Sequence, residues 1–291
     1  MLSYTLLAGL LFGLYFSLVA VGLNLVFGVM RLINLAHGDF LMLGAFLAYG
    51  LYAAAGLNPL YAIPAAIVAF MLAGVALYYA VVPRLQASRD PQMLSFILLF
   101  GVSQIIEALA VIAFGNNQRA IPATVFGSRP VLLLGQSFPV AWVVSAAVSA
   151  VALVVVYVYL YHSRLGYATR AVMASRDEAA STGINVHRVS AIALGTGLAL
   201  AAVAGVFSAF MLGSIEPDMG IGITTTSFAV IVIGSLGNPL GTVLGGLVYG
   251  VGLMVMETFY PSWADLLPYV LLILILLVRP SGLLGQRVRL A

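Results

Sequence analysis

The stretch GVMRLINLAHGDF, residues 28–40, sets Arg31, Asn34, His37 and Asp39 between two strongly apolar runs. An imidazole, a carboxamide and a carboxylate at this spacing can donate and accept hydrogen bonds, and Gly28 and Gly38 let the backbone leave a helix between them. A charged side chain within hydrocarbon costs at least about 2.5–3.5 kcal/mol, which puts Arg31, His37 and Asp39 at an interface or in a wet cavity. Two readings stand: a turn between two helices, or a non-helical break lining a solute path. The segment GSLGNPLG at 234–241 poses the same choice. Its glycines, Asn238 and Pro239 interrupt helical hydrogen bonding, so it either kinks a packed helix or forms a second wall of that path.

A third polar stretch, RAVMASRDEAASTGINVHR at 170–188, is the longest in the chain. Ser175 followed by Glu178 fits a capping box, Asp177 and Glu178 suit the first turn, and Gly183 fits a C-terminal stop. The expectation is a helix of about two turns, too short to stand alone and therefore packed on the rest of the chain or on a partner. The bland alternative is a solvated connecting loop.

Other chemistry is narrowed by what is missing. With no Lys among the twelve basic residues, a phosphate loop of the Lys-bearing form is excluded. No Cys is present, and His37, His162 and His187 have no zinc-ligand spacing. His162 and His187 read as interfacial. Glu107 and Glu257 are the embedded acids open to proton or sodium coupling, or else to a packed, neutral role. Paired carboxylates, a metal cluster and an activated nucleophile are all lacking, which argues against an embedded enzyme.

The helices that carry these residues follow from composition. Apolar residues make up 63% of the 291 positions and charged residues 7%. Soluble chains carry roughly 25% charged residues, so most of this surface faces lipid. The excess of three positive charges is too small and scattered to suggest nucleic acid. A bilayer core of about 30 Å needs roughly 20 helical residues. Spans are expected near 5–27, 37–55, 60–82, 92–114, 138–161, 189–213 and 265–279, with a run from 224 to 256 broken at 234–241 into two half-helices. The runs are continuously apolar, where barrel strands would alternate, so the fold class is an all-α integral membrane protein: a polytopic helical bundle of about 8 spans with broken or re-entrant helices. A basic n-region is missing at the start, so the first apolar segment is expected to remain as a span.

Arginines in short loops set the orientation. Arg84 and Arg89, then Arg164, Arg170, Arg176 and Arg188, then Arg279, Arg287 and Arg289 mark three cytoplasmic regions. Loops 115–137 and 214–223 and the N-terminus fall outside, and 224–256 must then enter and leave on the outer side. Residues 1–291 read as one membrane domain.

Four segments in order resemble one family: GLNLVFGVMRLINLAHGDFLMLGAF (22–46), RAVMASRDEAASTGINVHRV (170–189), VIGSLGNPLGTVLGG (232–246) and VRPSGLLG (278–285) are similar to the membrane permease of branched-chain amino acid ABC importers, the LivH type. The resemblance implies half of a transmembrane pathway, paired with a second related permease in the lipid bilayer of a bacterial-type inner membrane. It also implies two cytoplasmic ATPase subunits, which use ATP and Mg while this chain holds no cofactor, and a soluble binding protein outside. EAASTG resembles the coupling loop that such permeases insert into the ATPase, with one residue fewer before the Gly. On that basis Arg170, Ser175, Arg176, Glu178 and Gly183, in a loop of about 163–188, are assigned to coupling. Asn34, His37, Gly38, Asp39, Asn238 and Pro239 are assigned to the path. A urea or short-amide permease and an ion-coupled transporter using Glu107 or Glu257 remain as rivals.

Overall fold

The computed structural model describes residues 1–285. Its helices are α1 Leu2–Met30, α2 His37–Ala55, α3 Ala62–Gln86, α4 Pro91–Phe114, α5 Val140–His162, α6 Arg164–Ala174, α7 Arg176–Ser181, α8 Val186–Val206, α9 Ser208–Met211, α10 Met219–Gly234, α11 Pro239–Phe259 and α12 Leu267–Val278. Among the described residues, eight segments are long and apolar enough to cross a membrane: α1, α2, α3, α4, α5, α8, α11 and Pro261–Val278, which contains α12. The chain is a polytopic all-α membrane protein.

The two most enclosed spans are α1 and α8, with α11, α2 and α3 packed on them. Hydrocarbon gives apolar helices no reason to prefer each other over lipid, so close contact depends on small residues. Along the α1–α11 seam a Cβ added to Gly250 would lie 2.2 Å from Gly13 N, so the two backbones touch. By contrast, α4 and the α12 segment present mostly exposed side chains, Ile105, Ile112 and Leu277 among them.

The arginine-bearing segments gather at one end. Arg176 Nη2 donates to Gln86 Oε1 at 2.6 Å, and Leu283 N donates to Ile233 O at 2.8 Å, next to the groove that holds Arg170. Arg287 and Arg289, assigned to the same side, lie outside the described residues. The loops read as external meet at the other end, where Arg119 and Ile215 exchange backbone hydrogen bonds of 2.9 and 2.8 Å.

Three departures from expectation stand out. The run 224–256 is not a pair of half-helices. α10 has 16 residues, about 24 Å, whereas α11 has 21, about 32 Å and a full span. The pair does enter and leave on one side, since Thr258 near the end of α11 hydrogen-bonds Thr5 near the start of α1. The loop 115–137 is not wholly irregular: β1 Val131–Leu133 pairs antiparallel with β2 Gln136–Phe138 in register Val131↔Phe138. Finally, 164–174 is helical. Ser163 Oγ caps it by accepting from Gly166 N at 2.9 Å, and its polar side chains had concealed it among loop residues.

Candidate functional site

The break after α1 runs back into the bundle. Arg31 ends the helix in the left-handed region at φ 55°, with its N–H on Phe27 O at 2.8 Å. Residues 31–36 are non-helical, and α2 then begins with His37 Nε2 donating to Val19 O at 2.9 Å. Because a carbonyl only accepts, Nε2 carries the hydrogen. Val19 lies eleven residues before Met30, about 16 Å along α1, so α2 starts beside the middle of that helix. Asn34 and Asp39 are 1% exposed and His37 is 0% exposed, so the three path candidates sit inside the bundle, while Arg31 is exposed at the arginine-rich end.

Two helix starts meet there. Gly38 N donates to Thr224 Oγ1 at 2.8 Å, and that hydroxyl donates to Leu35 O at 3.1 Å. A Cβ on Gly38 would fall 1.9 Å from Gly220 O, so no larger residue fits this approach. Asp39 rests its Oδ1 on Gly220, and its Oδ2 has no hydrogen-bond partner. Asn34 has none at either end of its carboxamide and faces an apolar recess lined by Met30, Leu77, Leu85, Leu99 and Leu194.

Asn238 and Pro239 lie far from this meeting point. They border a groove of about 380 Å³ at the arginine-rich end, together with Ser235, Gly237, Tyr161, Arg170, Met173 and Leu284. One path candidate pair and one coupling candidate, Arg170, therefore share a single groove. Asn238 caps α11, its Oδ1 accepting from Gly241 N at 3.2 Å, with Pro239 at the first helical position where its missing N–H is harmless.

Arg170 is held on α5 by Nε to Leu160 O at 3.0 Å and by the ring of Tyr161 at 4.5 Å, with the ring of Tyr167 on its own helix at 5.0 Å. Ser175 Oγ accepts from Glu178 N at 3.4 Å, as the capping box requires on that side, while Ser175 N donates to Ala171 O. Gly183 follows the end of α7 with φ 87°. Asp177 and Glu178 are exposed, whereas Arg176 is half-buried against Gln86. Met173 reaches past its own helix: a Cβ on Gly28 would meet Met173 Cε at 2.8 Å and Gly237 Cα at 3.3 Å.

One residue was not singled out from the sequence. Asn24, fully buried in α1, accepts from Gly237 N at 2.6 Å and donates to Ser235 O at 3.3 Å and to Thr242 Oγ1. The signal was available, since a lone carboxamide inside a long apolar run needs partners. Of the two acids, Glu257 is exposed near the end of α11, and Glu107, partly exposed on α4, accepts from Gln104 Nε2 at 3.3 Å. His162 is exposed at the end of α5, and His187 pairs through Nδ1 with Tyr78 Oη at 2.9 Å.

Known proteins are similar in sequence to this chain, two of the three named here over nearly its full length. The LivH permease protein of the high-affinity branched-chain amino acid transport system of Salmonella typhimurium is 27% identical over 289 residues, covering 96% of this chain and 94% of its own. The BraD permease protein of Pseudomonas aeruginosa is 31% identical, covering 97% and 95%. The fructose import permease protein FruG of Bifidobacterium longum is 37% identical over 107 residues, 34% of this chain and 32% of its own. No solved structure is significantly similar. The family described as branched-chain amino acid transport system / permease component matches residues 5–276, and the chain belongs to it as a multi-pass transport permease.

Proposed function

We propose that this chain is one membrane half of an ATP-driven importer that passes branched-chain amino acids inward. Its other parts are a second related permease, two cytoplasmic ATPase subunits that use ATP and Mg, and an extracytoplasmic binding protein that delivers the cargo. The arginine-rich end faces the cytoplasm, in a bacterial-type inner membrane.

The observation that carries this reading is the position of α10. Its C-terminal end runs into the 235–238 turn, which touches α6 through Met173 and Arg170 and α1 through Asn24. Its N-terminal end holds the start of α2 through Gly220 and Thr224. A helix of 16 residues is a stiff rod of about 24 Å. Closure of the ATPases on ATP would displace α7 and α6, the rod would carry that displacement inward, and the Gly38–Gly220 contact would shift the segment bearing Asn34, His37 and Asp39. Two packed arrangements of such an element are what a transport cycle needs. The unmet hydrogen-bonding capacity of Asn34 and of Asp39 Oδ2 fits groups that gain partners in the other arrangement.

Amino acids are favoured as cargo because the relatives named for branched-chain transport match along nearly the whole chain. Affinity purification of the tagged protein from its native membrane, with mass spectrometry of the co-purifying proteins, tests the assembly. Two ATPases and a second permease are expected. Leucine uptake into vesicles that follows a proton or sodium gradient without ATP would overturn the reading.

A further inference from the structure

A recess of about 530 Å³ opens outward from the bundle between α3, α5 and α8. Helix α3 lies directly on α8, where a Cβ added to Gly195 would fall 2.6 Å from Met71 Sδ, and α5 packs on α1, so α8 forms the floor. Ile67, Val151 and Val155 on the rim are exposed. Along α5 the recess runs from Val148 to Tyr159 and along α8 from Ile192 to Val203, eleven residues on each, or about 16 Å. That is about half of the ~30 Å hydrocarbon core, the depth of one leaflet, whereas a spanning helix of another subunit needs the whole thickness.

Tyr159 and Thr196 bring the only hydroxyls to the lining, and neither is free. Tyr159 Oη pairs with Thr169 Oγ1 at 2.9 Å, and Thr196 Oγ1 lies 4.0 Å from Met71 Sδ. With no polar side-chain atom left to meet a solute, the recess is suited to hydrocarbon.

Its mouth at the arginine-rich end is different. The lining reaches Leu165, which Arg164 precedes at the start of α6, and Arg188 stands one turn before Ile192 on the same face of α8. Both arginines are exposed. Helices α3, α5, α6 and α8 hold no Asp or Glu, so the elements that build the recess and its mouth supply no anion to these guanidiniums. Guanidinium binds phosphate through paired hydrogen bonds. A phosphate joined to a hydrocarbon chain one leaflet long is a membrane phospholipid.

We infer that this recess binds an acyl chain of an anionic phospholipid from the leaflet at the arginine-rich end, with Arg164 and Arg188 holding its headgroup. The headgroup then bridges the first turns of α6 and α8, the two ends of the segment that carries α7. The inference holds whatever solute the chain transports.

The test uses the full chain, purified in mild detergent with the subunits that accompany it and returned to phosphatidylcholine vesicles. These contain a minor fraction of phosphatidylglycerol with a photoreactive group on one acyl chain. Illumination is expected to label peptides within 148–159 and 192–203, and the same group on phosphatidylcholine to show no preference for them. Unlabelled phosphatidylglycerol is expected to compete, and glycerol phosphate, a headgroup without chains, is not. Arg164→Gln combined with Arg188→Gln is expected to reduce labelling of the recess by roughly 25-fold, about fivefold for each guanidinium. Arg89→Gln, at an exposed arginine between α3 and α4, is expected to leave it unchanged. Ala152→Trp fills the recess from α5 without touching the charges and is expected to abolish the label. Where a variant fails to reach the membrane, the preference of the wild-type recess for phosphatidylglycerol over phosphatidylcholine decides. Equal labelling by the two lipids would overturn the proposal, as would competition by glycerol phosphate or cross-links from the recess to another subunit in place of lipid.

Discussion

Asn24 and Gly237 are 213 residues apart and joined by a hydrogen bond of 2.6 Å from the Gly237 N–H to Asn24 Oδ1. The same side chain reaches Ser235 O and Thr242 Oγ1, so one carboxamide ties the 235–238 turn to α1. Within bilayers such bonds contribute about 0.6 kcal/mol on average and up to about 1.7 each. Asn24→Leu breaks all three and strands the Gly237 N–H. Thermal unfolding in detergent is expected to shift down by several degrees, with a further loss of uptake per folded molecule. An unchanged midpoint would show that the turn does not depend on Asn24.

Helix α2 offers a paired comparison. Gly38→Ala forces a methyl into the Gly220 carbonyl, whereas Gly50 on the same helix has nothing within 4 Å. The first substitution is expected to abolish assembly or lower stability by about 1–3 kcal/mol, as overpacking does. Gly50→Ala is expected to be neutral or to stabilise by up to about 1 kcal/mol, because Ala is the better helix former. Melting curves of the two purified variants check the contrast; equal behaviour would mean that the α2–α10 contact yields.

The coupling residues divide by burial. Arg170 and Arg176 hold α6 and α7 on α5 and α3, while Glu178 points to solvent. Arg170→Ala is expected to lower the melting temperature. Glu178→Lys is expected to keep the melting temperature and to lose ATPase subunits on co-purification. Retention of the ATPases by the charge-reversed variant would exclude Glu178 from the docking face.

His37 poses a choice between holding and gating. Its bond to Val19 O and full burial assign it a holding role in this arrangement. His37→Ala is expected to lower stability by about 1–3 kcal/mol, with uptake falling in step with the amount of folded protein. Wild-type stability with abolished uptake would make it a gate instead.

Sequence alone established what depends on short stretches of chain. Hydrocarbon demands about twenty apolar residues with every backbone group bonded within the helix, so the spans were legible from local composition. The α7 cap at Ser175 and the stop at Gly183 are set by neighbours in sequence and were legible for the same reason. Helix α6 was obscured because its hold on the bundle comes through Arg170 on α5, a contact that its own polar pattern does not announce.

Depth and partnership belonged to the tertiary structure. The break at 31–36 and the turn at 235–238 look alike as sequence, yet one runs into the middle of the bundle and the other stays at the arginine-rich end. Asn24 and Asp39 draw their meaning from groups brought near by distant helices. Composition records how polar a residue is, while the energy of a buried polar group depends on which atoms face it, and only the packed chain decides that.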